Sequence, residues 1–169
     1  MKWASASSNS VAFETAADEV LERLRSELAG RDPDLLLVFV SAQHAAHYED
    51  VPTVFRGAYP RSTLVGCTGG GIIGGGRELE HQPALSVTAA WLPEVDLLPC
   101  LLDSRAMATI AASPYFIRNV IDLPEEAQPD FLLLPDPYSI DTERLLVALD
   151  TVWPESTSLG GLASGGHEP

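Results

Sequence analysis

Cationic side chains are scarce in this chain. There are 10 Lys and Arg against 24 Asp and Glu in 169 residues, a formal net charge of -14. Nucleic-acid binding relies on clustered Lys and Arg, so polyphosphate partners are excluded, and an anionic membrane surface with them. The exclusion covers long-range attraction, because a local nest of backbone amides can still hold one small anion. Cysteine is nearly absent too: Cys67 and Cys100 are the only two, too few to staple a secreted domain, which points to a reducing cytoplasm. No stretch reaches the roughly twenty apolar residues of a membrane-spanning helix. The N-terminus MKWASASSNS carries no apolar secretion-signal core, so a soluble cytoplasmic protein is expected.

What the chain does have is 46% hydrophobic residues, ample for one packed domain or two small similar halves. It also has one short pattern twice. PDLLLVFVS from Pro33 is followed by STLVGCTGGGIIGGG from Ser62, and PDFLLLPDP from Pro129 is followed by STSLGGLASGG from Ser156. A glycine cluster directly after a buried strand lets main chain approach a ligand or another backbone, since no Cβ covers the amides. Two clusters in similar places predict a single pocket and an internal pseudo-repeat.

Periodicity places these motifs on elements. Phe13, Ala17, Val20, Leu21, Leu24 and Leu28 recur at helical steps, with Gly30 as the C-terminal cap and Pro33 as a stop. Leu35 to Val40 is an unbroken apolar run, as in a parallel strand covered on both faces. A helix from Asp50 to Pro60 and a strand Thr63 to Gly66 follow. Leu85, Val87, Ala89 and Trp91 alternate, and with Val95 to Leu102 beyond Pro93-Glu94 they predict an antiparallel hairpin. Ser104 to Ala112 and Pro114 to Ile121 read as helices, Phe131 to Leu134 as a second buried strand, and Leu145, Leu146, Leu149 and Val152 as its helix. The expected class is α/β: a mixed sheet with mostly parallel buried strands, one antiparallel hairpin and flanking helices. Trp3 and Trp91 are expected in the core, Trp153 as its cap, and Glu125, Glu126 and Asp130 as a solvated linker. A compact domain rarely ends on a glycine loop, so the chain is expected to belong to a longer protein or residues 162–169 to be mobile.

At STLVGCTGGGIIGGGRELE, together with WASAS near the start and the flanking PDLLLVFVS and STSLGGLASGG, the sequence resembles the N-terminal domain of the FIST family, named for F-box and intracellular signal transduction proteins. The likeness runs from Trp3 to about Gly166 and is most specific from Gly66 to Glu78. It implies a sensory module that binds small molecules, amino acids among them, and feeds signalling partners or ubiquitin-ligase machinery. It also implies a companion C-terminal domain. It carries no catalytic residue over to this chain, and no F-box, kinase or cyclase pattern is present.

In open α/β sheets ligands bind beyond the C-terminal ends of the parallel strands. Those ends are Ser41 with Gln43, Cys67 with Thr68, then Asp136, then Gly161 with Ser164. An amino acid suits this set: its carboxylate on the amides of Thr68, Gly69, Gly70 and Gly71, its ammonium on Asp136. Arg77 and Glu78, closing the glycine loop, either pair with each other, reach into the pocket or stay solvated. The bland alternative is that all of these residues only build turns.

Other chemistries are weaker. Gly69, Gly71 and Gly74 satisfy G-x-G-x-x-G, but Pro83 and the alternating run from Leu85 leave no room for the helix a dinucleotide site needs. No Gly-Lys-Ser/Thr step exists for a P-loop, and no cofactor is expected. Cys67 could be a nucleophile among amide donors, with His44, His47 or His81 as base, which makes a thiol-dependent hydrolase or amide-transfer enzyme the rival reading. A metal held by His44, His47 and Cys67 is disfavoured, since H-x-x-H alone is a weak signal. A scaffold whose glycine loops pack against another domain or a twin subunit is the third.

Overall fold

The computed structural model describes residues 1–124 and 126–165. Glu125 of the expected linker and the last four residues of the 162–169 stretch lie outside them. The chain forms two compact units, Met1–Pro99 rejoined by the chain from Ser164, and Cys100–Ala163. Both are mixtures of helix and strand.

The first unit is built on a four-stranded mixed sheet in the order β1, β6, β2, β3, comprising Lys2–Ser8, Leu85–Trp91, Leu35–Ser41 and Thr63–Gly69. β2 and β3 are parallel, Leu35 opposite Thr63 and Ser41 opposite Gly69. The connection is a 3-10 turn, Ala42–His47, and helix α2, Asp50–Ala58. β6 runs antiparallel to both of its neighbours. One face of the sheet is closed by helix α1, Phe13–Leu28, whose Phe13, Val20, Leu24 and Leu28 are fully buried. They meet Ala4 and Ala6 of β1, Leu36, Val38 and Val40 of β2, and Leu85, Val87 and Ala89 of β6. Each such Leu or Phe contributes about 1.5–3 kcal/mol of burial. The helix ends with Ala29 and Gly30 both left-handed, at φ 54° and 77°, so the turn extends one residue earlier than the glycine alone predicts.

The opposite face carries the glycine-rich segment, which is a hairpin: β4, Gly71–Gly74, pairs antiparallel with β5, Arg77–Glu80. Gly75 and Gly76 form its two-residue turn with φ of 56° and 74°, the mirror-image geometry that matches strand twist. The hairpin lies close against serines of the sheet. Gly75 N donates to Ser5 Oγ at 3.2 Å and Ser86 Oγ donates to the Ile73 carbonyl at 3.1 Å. A Cβ on Gly74 would overlap the Ser86 hydroxyl and stand 2.8 Å from its Cβ. Ile72 and Leu79 are buried with Ala84, against Phe39.

Two expectations change here. The hairpin is not where alternation predicts it: Val95–Leu102 forms no strand. Both edges of β6 are already taken by β1 and β2, while the run itself holds Asp96 and Pro99. Trp3 is not core either, being 53% exposed, because alternation along β1 gives the α1 face to Ala4 and Ala6 instead.

In the second unit, α3 (Ser104–Ala112), a 3-10 turn (Pro114–Phe116), α4 (Ile117–Val120) and α5 (Thr142–Val152) surround a two-stranded parallel sheet, β7 (Phe131–Leu133) with β8 (Ser158–Gly160). Its core includes Met107, Ile110, Ile117, Leu145, Ala148, Leu149 and Trp153. Trp153 is thus core rather than cap. Side chains of Asp103 and Asp141 cap α3 and α5, accepting from Ala106 N at 2.8 Å and Arg144 N at 3.0 Å. β7 is only half-buried, and Leu132 and Leu159 are exposed, so it is not the fully covered strand its apolar run predicts.

The Pro-Asp and Ser-Thr steps have a visible purpose in each unit. Ser62 Oγ donates to the Pro33 carbonyl at 2.6 Å and Thr63 N to the Asp34 carbonyl at 2.8 Å. Thr157 N donates to Asp130 Oδ1 at 3.0 Å. These bonds start the parallel pairs in register.

Candidate functional site

The sequence-predicted residues divide between the units. Asp136 and Gly161 belong to the second. Asp136 closes its own turn, Oδ1 accepting from Tyr138 N at 3.1 Å and Oδ2 from Ser139 Oγ at 2.6 Å. The Ser139 hydroxyl first, then the Tyr138 amide, hold its carboxyl below the usual aspartate range. Gly161 N donates to the Leu133 carbonyl at 3.1 Å.

The others lie in the first unit. Ser41 is buried and locks the chain entering β6: its Oγ accepts from Ala84 N at 2.8 Å and its own N donates to the Ala84 carbonyl at 2.9 Å. Gln43 is exposed on the 3-10 turn. Gly70 N donates to Ser164 Oγ at 3.0 Å and Ser164 N donates to the Thr68 carbonyl at 3.2 Å. Gly165 follows so closely that a Cβ there would stand 2.6 Å from Thr68 Oγ1. Of the four amides expected to cradle an anion, that of Gly70 is therefore used within the protein. Thr68 and Gly69 end β3, and Gly71 opens β4 opposite Glu80. Arg77 and Glu78 are exposed neighbours on β5, which sends them to opposite faces. Arg77 reaches Asn9 Oδ1 at 3.5 Å, and among the described residues neither forms an ion pair.

The structure brings Cys67 and Thr68 together in a groove of about 320 Å³ between α2 and the edge strand β3. Val38, Val40 and Leu64 line it from the sheet, and Tyr48, Val51, Pro52 and Arg56 from the helix side. Gly66 lies midway along β3, where the backbone approaches β2 closely: a Cβ there would overlap the Val38 carbonyl oxygen and stand 2.9 Å from its carbon. A side chain is thus excluded at Gly66. Arg56 has no ion pair or side-chain hydrogen bond among the described residues. Burial pushes the Tyr48 phenol and the Cys67 thiol up from their ordinary values. Cys67 is thus held protonated at neutral pH, the opposite of an activated nucleophile.

Tyr48 and Arg56 were not among the sequence-predicted site residues. The sequence carries only a weak trace of them: Tyr48, Pro52 and Arg56 step by four, the spacing of a single stripe along a helix and its N-terminal approach, which ordinary helix faces share.

His44 and His47 are otherwise occupied. His44 is buried edge-on to Phe13 with ring centroids 5.7 Å apart, and His47 stacks on the same ring at 5.1 Å while its Nδ1 meets Asp50 Oδ2 at 2.9 Å. Burial, then the neighbouring His47, hold the pKa of His44 below its usual value. A larger hollow of about 490 Å³ lies among Arg31, Asp32, Asp34, Arg61 and Trp91. Its charges have partners: Arg61 pairs with Asp32 at 3.2 Å, Asp34 Oδ2 accepts from Leu92 N at 2.6 Å, and Arg31 lies 5.2 Å over the Trp91 ring.

The FIST N domain family model matches residues 34–169. The chain belongs to the FIST N domain family. Uncharacterized proteins of Mycobacterium tuberculosis are 32% identical over 152 residues, and one of Mycobacterium bovis is 30% identical over 152 residues. In each case 90% of this chain and 38% of the relative are covered, so the FIST N domain described here spans well under half the length of those proteins. No solved structure matches it. Membership implies a sensory domain of signal transduction. Among the described residues, no helix is long and apolar enough to cross a membrane.

Proposed function

We propose that this FIST N domain senses a small polar metabolite, bound in the groove between α2 and β3, with amino acids the class expected from the sequence. The observation that carries the reading is a mainly aliphatic groove that contains Cys67 and Thr68 and is lined by the exposed Arg56, a cation with no ion pair among the described residues. The volume of 320 Å³ lies at the lower end of ligand sites and equals about ten water volumes. That favours a metabolite of amino-acid size over a dinucleotide.

Output follows from Thr68. It lines the groove and its carbonyl holds Ser164, so a ligand that moves the end of β3 alters the latch formed by Thr68, Gly70 and Ser164. A ligand shifts a partner only through different affinity for two conformations, and latched and released forms of this segment supply them. The recipient is a companion domain or signalling protein of a cytoplasmic pathway.

Hydrogen exchange on the full-length protein tests this reading. A stabilising metabolite from a thermal-shift screen should change protection at the Gly70 and Ser164 amides. A stabilising metabolite that leaves both amides and the groove residues untouched would refute it. Against the rival thiol enzyme stands the raised pKa of Cys67.

A further inference from the structure

We infer that the groove selects aliphatic monocarboxylates, with Arg56 as the carboxylate anchor and the α-amino group of an amino acid unfavourable. The inference rests on the groove being the ligand site. Its lining contains one cation, Arg56, and no Asp or Glu. A guanidinium offers a planar fork that matches a carboxylate with two parallel N–H donors. Arg56 has no competing acid among the described residues, although the chain holds 24 of them. Overall negative charge does not prevent this pairing, because interactions beyond about 8 Å are largely screened at physiological salt.

The groove also presents Val38, Val40, Val51 and Leu64 to a ligand. Those side chains reward a branched aliphatic tail through burial. An ammonium, by contrast, would lose hydration and find no carboxylate in the lining, a penalty that the acid lacking it avoids. Tyr48 and Thr68 also line the groove, and hydroxyls suit a second carboxylate oxygen or a 2-oxo group. The anticipated class is therefore short branched fatty acids and 2-oxo acids.

A matched series on the full-length protein decides it: 4-methylpentanoate, its amide, and leucine, titrated calorimetrically into wild type, Arg56→Gln and Val51→Trp, with folding checked by circular dichroism. The acid should bind roughly tenfold or more tightly than leucine or the amide, the scale of one charged hydrogen-bonded contact. Arg56→Gln should erase the preference over the amide, and Val51→Trp, which fills the groove, should abolish binding. Leucine binding as well as the acid would overturn the selectivity against the amino group, and indifference to Arg56→Gln while Val51→Trp still blocks would overturn the carboxylate anchor; either leaves the groove standing. Unchanged binding in Val51→Trp, or no binding of any of the three at millimolar concentration, would overturn both.

Discussion

Gly66→Ala is the sharpest test of how β3 is held. A methyl group there would overlap the Val38 carbonyl oxygen and stand 2.9 Å from Val38 C and 3.1 Å from Val38 N, all backbone atoms of the neighbouring strand. No rotamer relieves this, so β3 must move away from β2. Gly66 is the central residue of a seven-residue parallel register. Losing two ladder bonds at about 0.5–1.5 kcal/mol each and straining the backbone by about 1–3 kcal/mol gives a loss of about 3 kcal/mol or more. Against a usual total of about 5–15 kcal/mol, that should lower Tm by roughly 10 °C and shift the urea midpoint at unchanged m-value. Gly57→Ala is the control: within α2, with nothing within 4 Å of the added carbon, it should stabilise by up to about 1 kcal/mol. If Gly66→Ala unfolds within about 0.5 kcal/mol of wild type, surface-like behaviour by the usual scale, the close approach of β3 to β2 is wrong.

Gly74→Ala should detach the hairpin from Ser86 and be partly rescued by Ser86→Gly, a coupling that a double-mutant cycle measures; additive losses would contradict the packing. Stability should fall as pH drops below about 6.5, the ordinary histidine value, because the unfolded state takes a proton that buried His44 resists. His44→Leu should flatten that part of the curve without large loss, since His44 Nε2 is buried with no partner among the described residues; an unchanged pH profile would refute it. Cys67 should react with iodoacetamide more slowly than a model thiol, its burial having raised its pKa, and a bound ligand should slow it further. Rapid alkylation would revive the thiol-enzyme reading.

Much of the scaffold was legible because its signals are local. The stripe from Phe13 to Leu28, the aliphatic run of β2 and the helix carrying Leu145, Leu149 and Val152 each follow from spacing or residue type, and each appears as expected. Pairing partners were not legible. Nothing local in KWASASS distinguishes an edge strand from an arm, so β1 went unnoticed and β6 was paired with the wrong run. The glycine cluster is legible in the sequence but the hairpin it forms is not: Gly74, Gly75 and Gly76 shape a hairpin that lies on serines. Ser5, one of those serines, sits 70 residues away in sequence. At the candidate site, Cys67 and Thr68 were identified from their strand end, whereas Arg56 and Tyr48 were hidden in what looked like an ordinary helix face.

The most direct test of the ligand site is two-dimensional NMR of the full-length protein titrated with 4-methylpentanoate and with leucine. Saturable shifts should centre on Tyr48, Arg56, Cys67 and Thr68 and extend to Gly70 and Ser164. Shifts confined to the Arg31–Trp91 hollow or to the Gly71–Glu80 hairpin would contradict the account.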